Sequence, residues 1–240
     1  MSAAPTAPAR PELPDWDYDG APGSRDRTRA GIAIVAGVAL AGTVLAWLVL
    51  GPIGIAAFAA LFSGAIVWTV SNSGRGMLRR SGAVPVVPGS APRLENIVEG
   101  LASKTKLPAP ELWLIRDDAP NALVCFTRRP AIAMTSGLVE GYTRTELEAV
   151  VAHCFVRLAV TATPLARTML ALSTISSAFG VPVGDRDDVR AAAVTRYPPA
   201  LASAVTKASP RSGRGASFWF VADDGMHVPA AERSKALLDL

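Results

Sequence analysis

The stretch TRTELEAVVAHCFVR, residues 143–157, carries the strongest local signal in the chain. Thr143 and Glu146 have the spacing of a capping box, in which each side chain accepts a hydrogen bond from the other residue's backbone N–H. Behind them, apolar side chains recur every three or four positions, as on one face of an α-helix: Leu147, Val150, Val151, Cys154, Phe155 and Leu158. The stretch therefore predicts a helix over 144–159.

Short apolar runs and helical patterns alternate on both sides of this helix. Before it we expect one helix and three strands, the last two joined as a hairpin: helix 92–104 and strands 112–115, 121–127 and 131–135. After it we expect three helices and one strand or short apolar anchor: helices 185–194, 198–208 and 229–240, and the strand at 218–222. This mixture predicts an α+β domain.

An uncharged run at 30–74 predicts a membrane anchor. One transmembrane helix needs about 20 apolar residues, and this run is more than twice as long. We therefore expect two transmembrane helices, at about 31–50 and 53–70, with the chain reversing at the turn dipeptide Gly51-Pro52. A long buried hairpin of a soluble protein is the alternative interpretation of the same run.

Basic residues flank this run on both sides, whereas the turn between the two expected helices is uncharged. They are Arg25, Arg27 and Arg29 before the run and Arg75, Arg79 and Arg80 after it. Because positive charge stays on the cytoplasmic side, the pattern predicts a multi-pass protein of the plasma (inner) membrane with both termini in the cytoplasm. The expected partner of this part is the lipid bilayer.

Composition agrees with a membrane anchor and excludes several kinds of site. The 240 residues include 24 Lys and Arg, 20 Asp and Glu, two His and two Cys, and the mean hydropathy is +0.30. Two Cys exclude a disulfide framework and a four-Cys zinc module, and no basic–aromatic motif suggests a nucleic-acid partner. The expected domains are a disordered cytoplasmic tail (1–29), the two helices (30–74), a linker (75–92) and a cytoplasmic domain (93–240).

The segment 158–184 carries a single charged residue, Arg167. Its uncharged part, 168–184, is short for a membrane span and contains several Ser and Thr together with Gly180 and Pro182. A third span would also place the C-terminus outside. We therefore expect this part to lie against the membrane or to fill the groove of the domain.

Several short motifs follow one another in an order that is informative as a whole: Pro120-Asn121-Ala122, Thr135-Ser136-Gly137-Leu138, the run from Glu146-Leu147 to His153, then Thr195 to Leu201, and His227-Val228-Pro229 with Glu232-Arg233. This order resembles the HtpX-like membrane-bound zinc metallopeptidases, relatives of the CAAX prenyl proteases. The resemblance implies a zincin-like (gluzincin-type) metallopeptidase domain preceded by a two-helix transmembrane hairpin. It also implies a peptide-binding edge strand formed by Asn121, Ala122, Leu123 and Val124.

The chain departs from the family where the chemistry would be. The family motif is H-E-x-x-H, but Cys154 stands in place of the glutamate base and Arg157 in place of the second histidine. Arginine has no lone pair for a metal and keeps its proton. The third ligand of the family is the Glu of an E-x-x-x-D pattern, and the acidic residues nearest to that pattern here are Asp187 and Asp188. With His153 as the one surviving ligand type, we expect no metal and no catalytic residue.

Two roles remain open for Arg157. It either takes the vacated metal position and pairs with Asp187 or Asp188, or it extends to solvent or lipid headgroups. Another metal site would need His153, Cys154, His227 and an Asp together. The two neighbours on the helix point about 100° apart, which disfavours both shared ligation and a Cys–His nucleophile pair.

Three functions follow from these observations. The first is a membrane-anchored, non-catalytic pseudoprotease that binds a peptide or protein partner, without a cofactor. The second is an active metalloendopeptidase with an atypical zinc site, supported only by the surrounding family pattern. The third is a structural membrane protein whose groove is filled by its own segment 168–183. The sequence predicts neither a substrate nor an oligomeric state.

Overall fold

The computed structural model describes residues 24–240, and the part of the expected tail at 1–23 lies outside the described residues. The helices are α1 (Ser24–Arg80), α2 (Pro92–Thr105), α3 (Ser136–Gly141), α4 (Arg144–Val160), α5 (Pro164–Leu172), α6 (Asp185–Thr195), α7 (Pro198–Lys207) and α8 (Ala230–Leu238). The strands are β1 (Val84–Pro85), β2 (Glu111–Ile115), β3 (Ala122–Phe126), β4 (Pro130–Thr135), β5 (Arg211–Ser212) and β6 (Ala222–Asp223). The protein is thus a mixed helix-and-sheet structure behind a long apolar N-terminal helix.

Helix α1 contains one break, at Gly51, whose φ of 61° and ψ of −144° are not helical. Glycine adopts this conformation readily because it has no Cβ, and Pro52 opens the helical part that follows. The helix begins at Ser24 and ends at Arg80. It therefore includes six residues of the expected tail and extends into the expected linker, beyond both boundaries inferred from the sequence.

By length and composition, one helix among the described residues can cross a membrane, and it covers Asp26–Arg80. Its large apolar side chains are mostly exposed, as a lipid-facing surface requires; Leu48 and Leu61 are 74% and 75% exposed. A second candidate exists only if α4 and α5, which meet at an angle of 109°, are taken as one span. Because α4 is buried within the domain, we treat it as a core helix.

The main sheet has the strand order β1-β2-β4-β3. Strands β2 and β4 are parallel, whereas β1 pairs with β2 and β3 pairs with β4 in antiparallel orientation. The β3–β4 pair is the hairpin expected from the sequence. Strand β1 lies inside the stretch that we interpreted as a linker, so that part of the prediction was wrong: its backbone completes the sheet.

The sheet separates two apolar clusters, as the two-residue period of its strands dictates. On one side, Ala122, Val124, Ile132 and Met134 pack with α2, α4, α6 and α7. On the other side, Leu123, Cys125, Ala131 and Ala133 pack with the end of α1 and with α5. The domain core thus lies between the sheet and α4, and the end of α1 is attached to the opposite face.

The segment 158–184 fills space inside the protein. Met169 and Leu170 of α5 are buried in the cluster that joins α1 to the sheet. A Cβ at Gly31 of α1 would lie 3.0 Å from the Phe179 ring, so the two segments are in close contact. The segment therefore packs against α1 and the sheet, whereas the two positions expected from the sequence, against the membrane or in the groove of the domain, stay predictions.

Candidate functional site

Helix α4 positions the residues that would form the site, and its start is fixed by the expected capping box. The Thr143 hydroxyl accepts from the Glu146 backbone N–H at 3.3 Å, and the Glu146 carboxylate accepts from the Thr143 N–H at 2.9 Å. Burial opposes the charge of Glu146, but hydrogen bonds from Lys207, Ser203 and Thr143 outweigh it and lower its pKa to about 2. This cap fixes where α4 begins and therefore which of its residues face the inside of the domain. His153, Cys154 and Arg157 are among those residues.

His153 lies against Asp188 of α6 and Phe220. Its Nδ1 is 2.9 Å from Oδ1 of Asp188, and its ring meets the Phe220 ring edge-on, with centroids 4.9 Å apart. Among the described residues, neither ring nitrogen has a well-directed hydrogen-bond partner. Burial lowers the pKa of His153 more than the facing carboxylate raises it. The imidazole is therefore neutral at pH 7.

Asp188 is held on its other side by Arg233 of α8. Both carboxylate oxygens accept hydrogen bonds of 2.7 Å, from Nε and Nη2 of the guanidinium, and Arg233 Nη1 donates to the Phe220 carbonyl at 2.9 Å. This is the bidentate geometry that makes Arg–carboxylate pairs strong. Burial disfavours the charged carboxylate, but the arginine charge and hydrogen bonds prevail, so the pKa of Asp188 is well below its usual range.

Arg157 forms a second buried pair one helical turn beyond His153. Its Nη1 lies 3.2 Å from Oδ2 of Asp187 and donates to the Pro182 carbonyl at 2.9 Å. The arginine side chain is 2% exposed. Of the two alternatives drawn from the sequence, pairing inside the domain is confirmed, and extension to solvent or lipid is wrong. The loop before α6 supplies the carbonyl that completes the guanidinium's contacts.

These residues balance in charge. Two buried guanidinium groups, Arg157 and Arg233, face two buried carboxylates, Asp187 and Asp188, with the neutral His153 between them. Buried charges persist when they are paired and hydrogen-bonded in this way. The position between α4 and α6 is thus filled by an ion-pair network.

The residues at this position do not fit a zinc ion. A catalytic zinc needs three protein ligands and one open position, and no group of three or more His, Cys, Asp and Glu is placed to hold a metal within 24–240. Four residues before Asp188, where an E-x-x-x-D pattern would place its glutamate, stands Gly184. Arg157 adds a fixed positive charge beside His153, which repels a cation.

Cys154 replaces the base with an inert thiol. It is 1% exposed, and burial raises the pKa of its thiol to about 12. A reactive cysteine needs a lowered pKa and access to solvent. Cys154 therefore acts as a small core residue. Cys125 is similar, because it is fully buried in β3 and its thiol pKa is also raised to about 12.

His227 does not approach His153 as a ligand. Its Nδ1 lies 2.9 Å from Oδ1 of Asp224, and its Nε2 lies 2.9 Å from the Trp219 carbonyl oxygen. Both ring nitrogens are therefore engaged inside the loop that precedes α8. The four-residue set of His153, Cys154, His227 and an Asp, which the sequence analysis considered for a metal, is not assembled.

The strand expected to bind peptide, Asn121–Val124, is at the edge of the sheet but is not open. All four residues are at most 5% exposed. The Phe220 backbone N–H donates to the Ala122 carbonyl at 2.7 Å, and Leu123 and Trp219 form an antiparallel bridge. The expectation of an open peptide-binding edge was therefore wrong: a later part of the chain already pairs with it.

Asn121 holds the segment that pairs with β3 in place through hydrogen bonds. Its side-chain amide donates to the carbonyls of Ser209 and Val221, at 2.7 and 2.8 Å, and its side-chain oxygen accepts from the Val221 N–H. The stretch 218–222, expected to be a strand or a short apolar anchor, begins at the end of a 3₁₀ turn, Ala216–Phe218, then pairs with β3 and enters β6 at Ala222. The asparagine of the Asn-Ala motif is thus a structural residue here.

One residue of the network escaped the sequence analysis. Arg233 was noted only as part of a downstream motif, although it makes the strongest pair in the site. The available signal was an arginine on a helix whose other buried residue is Leu237. Its partner lies 45 positions away, and nothing in the sequence links the two.

Comparison with known proteins assigns this scaffold to a class. Residues 88–155, from the approach to α2 as far as the middle of α4, match peptidase family M48. This region is therefore similar to peptidase family M48, a family of zinc metallopeptidases, and the resemblance to HtpX-like proteins seen in the sequence is confirmed.

Individual relatives carry the name protease HtpX homolog. The one from Tropheryma whipplei (strain Twist) is 42% identical over 83 residues, which cover 34% of this chain and 28% of the relative. The one from Acidiphilium cryptum (strain JF-5) is 40% identical over 100 residues, or 40% and 33% of the two chains. The one from Leuconostoc mesenteroides is 34% identical over 121 residues, or 48% and 41%. The chain thus matches well under half the length of these relatives.

Proposed function

We propose that this chain is a membrane-anchored M48-type protein without peptidase activity, in which two arginine–aspartate pairs replace the zinc site. The observation that carries the proposal is the buried pair of Arg157 with Asp187, because it puts a permanent cation where the family motif has its second histidine. Without a metal or a base, a water molecule at this position is not activated. The network instead ties α4, α6 and α8 together.

The anchor that we propose is a hairpin of two transmembrane helices. A straight helix of the 57 residues of α1 would be about 85 Å long, yet both of its ends contact the same domain. Near the start, Arg27 donates to the Asp224 carbonyl at 3.1 Å; near the end, Met77 is buried against the sheet. The Phe58 ring also lies beside Gly42, across the break at Gly51.

We further propose that the hairpin lies in the plasma (inner) membrane with both chain termini in the cytoplasm. The proposal is supported by arginines at both ends of α1 and by the uncharged break at Gly51. Peptide binding by strand addition is not part of the proposed function, because a partner would first have to displace residues 219–221 from β3.

A cleavage assay tests the absence of peptidase activity. The full chain in detergent, supplied with zinc, is expected to leave casein and unfolded peptides intact, at the same background rate as a His153→Ala variant. Cleavage by the wild type that is lost in His153→Ala would contradict the proposal.

Engineered ligands provide the matched positive control. Cys154→Glu with Arg157→His restores the H-E-x-x-H motif, but it is expected to remain inactive because the third ligand is missing. Adding Gly184→Glu supplies a carboxylate four residues before Asp188. Zinc binding by the triple variant and not by the double variant would locate the lost site. Cleavage by the double variant would overturn this assignment.

A further inference from the structure

Two adjoining cavities meet where the second half of α1 joins the domain, and they share Arg75 and Arg79. The first, of about 380 Å³, lies toward the membrane segment and is lined by Trp68, Asn72, Arg80 and Ile175 besides the shared arginines. The second, of about 390 Å³, lies toward the sheet and is lined by Trp113, Thr127, Arg128 and Glu111. The two cavities are outside the ion-pair network of the proposed function.

The lining of these cavities includes four arginines and one acidic residue. Arg75 and Arg79 are one helical turn apart, so their side chains project on the same face. Among the described residues, no carboxylate lies within ion-pair distance of Arg75, Arg79, Arg80 or Arg128. Glu111 is the acidic residue of the lining, and it accepts a hydrogen bond from Thr127 at 3.1 Å. A ligand with negative charge is therefore favoured at this position.

Trp113, one of the residues that line the second cavity, has an indole donor without a partner among the described residues. The indole Nε1 of Trp113 is buried and has no hydrogen-bond partner among the described residues. An unmatched buried donor costs free energy unless an acceptor reaches it. Phosphate oxygens are strong acceptors that also pair with arginine in a bidentate manner. The arginines of the lining thus offer the cations for phosphate recognition, and the unmatched indole donor belongs to a residue of the same lining.

The first cavity is lined in part by exposed apolar side chains. Trp68 and Ile175 are 69% and 56% exposed, and tryptophan is favoured at the level of the headgroups. We propose that Arg75 and Arg79 bind the phosphate of an anionic phospholipid, with its headgroup in the cavities and its acyl chains along the outer surface of α1. This inference rests on the proposed membrane anchoring of α1.

Lipid retention by the full chain tests the proposal. Protein purified in detergent is mixed with equal amounts of phosphatidylglycerol and phosphatidylcholine of matched chains, and native mass spectrometry counts the lipids that stay bound. Wild type is expected to retain the anionic lipid with about tenfold preference, and Arg75→Gln with Arg79→Gln is expected to remove that preference. Equal retention of both lipids by the wild type would overturn the proposal.

Matched variants separate a built site from a general positive surface. Arg116→Gln with Arg144→Gln removes two exposed arginines elsewhere and is expected to keep the preference. Trp113→Phe keeps the ring but removes the donor, and a loss of about threefold is expected. If Trp113→Phe has no effect and the control pair reduces binding as much as the Arg75–Arg79 pair, the site is only a charged surface and the proposal is wrong.

Two further measurements distinguish a lipid site from a soluble anion site, and a failure of this inference from a failure of the proposed anchor. Inorganic phosphate and glycerol phosphate at millimolar concentration are expected not to displace the lipid; displacement would identify a soluble anion site and overturn the lipid assignment. Incorporation of the wild type into lipid nanodiscs is measured in parallel. Incorporation without lipid preference refutes this inference alone, whereas failure to incorporate refutes the proposed anchor.

Discussion

At the scale of single residues, the site is governed by two arginines that have almost no contact with solvent. Arg157 and Arg233 are 2% and 0% exposed, and a guanidinium at such a depth requires a matched carboxylate. Asp187 and Asp188, adjacent on α6, supply the two partners. Because each carboxylate faces an arginine on a different helix, the network stabilises the packing of α4, α6 and α8.

Removing the charge of Asp188 is expected to be strongly destabilising. Asp188→Asn leaves Arg233 buried without its partner, and breaking a buried pair in this way costs about 3 kcal/mol, or roughly 10 °C in the thermal midpoint. Glu99→Gln removes a carboxylate from an exposed position and serves as the control, with little expected change. Thermal unfolding in detergent measures both variants, and equal midpoints would show that the network does not support the fold.

The buried imidazole predicts a pH dependence of stability. Burial lowers the pKa of His153 in the folded state, so below about pH 6.5 the unfolded chain binds a proton that the folded chain does not. Stability is therefore expected to fall as the pH drops from about 6.5 to about 5.5. A His153→Gln variant should show a flatter profile over the same range, and an unchanged slope would argue against a neutral buried His153.

At this scale, the sequence predicted features formed by residues close together in the chain, but not contacts between distant residues. The change from H-E-x-x-H to His153, Cys154 and Arg157 is local, and pairing of Arg157 with Asp187 was one of two options that the sequence left open. The bidentate pair of Arg233 with Asp188 was not predictable, because tertiary packing alone brings α8 to α6. The same reason applies to Asn121, whose partners lie 88 and 100 positions away.

At the scale of elements, hydrophobic periodicity and helix caps predicted helices and strands correctly. The expectation that the edge of β3 is open was wrong. Helix α4 begins at its capping box and extends one residue beyond the expected end. Strand β3 was correctly expected, and 218–222 was expected to be a strand or short apolar anchor, but nothing in the sequence indicated that the two segments pair with each other. Short strands such as β1, with two residues, leave no period to detect.

The contact between α1 and β3 gives a prediction with an internal control. A Cβ at Gly74 would lie 2.0 Å from the Phe126 carbonyl oxygen, which is backbone and cannot move aside, whereas a Cβ at Gly76 would meet nothing within 4 Å. Gly74→Ala is therefore expected to destabilise the protein by about 2 kcal/mol. Gly76→Ala is expected to be neutral or to stabilise the helix by up to about 1 kcal/mol.

Thermal unfolding of the two glycine variants, under identical conditions, checks this contact. The same substitution two positions apart has the same intrinsic effect on the helix, so the difference between the variants reports the contact with β3 alone. Equal midpoints for Gly74→Ala and Gly76→Ala would mean that α1 does not pack against the strand.

At the scale of the whole molecule, the chain joins a domain similar to peptidase family M48 to an apolar helix that is long enough to cross a membrane. The domain attaches α1 through the face of the sheet opposite to α4, so the ion-pair network and the anchor lie on different sides of the protein. The composition and the uncharged run predicted the anchor, but the way in which α5 and the segment after it fill the space beside α1 depends on packing that no local pattern encodes.

Labelling of single cysteines tests the proposed topology. Cys125 and Cys154 are buried, and the pKa of each thiol is raised to about 12, so they are expected not to react in the folded protein. In intact cells, an impermeant maleimide should label Pro52→Cys but not Ser90→Cys, which should react only after the membrane is opened. Labelling of Ser90→Cys in intact cells would place the domain outside and contradict the proposed orientation.

The central claim is that buried arginine–aspartate pairs have replaced the zinc of an M48-type domain, and metal analysis of the full chain tests it most directly. After purification in detergent, incubation with zinc and removal of the free ion, the protein is expected to retain substoichiometric zinc, and His153→Ala is expected to retain the same amount. One zinc ion per chain, lost on His153→Ala, would contradict the account.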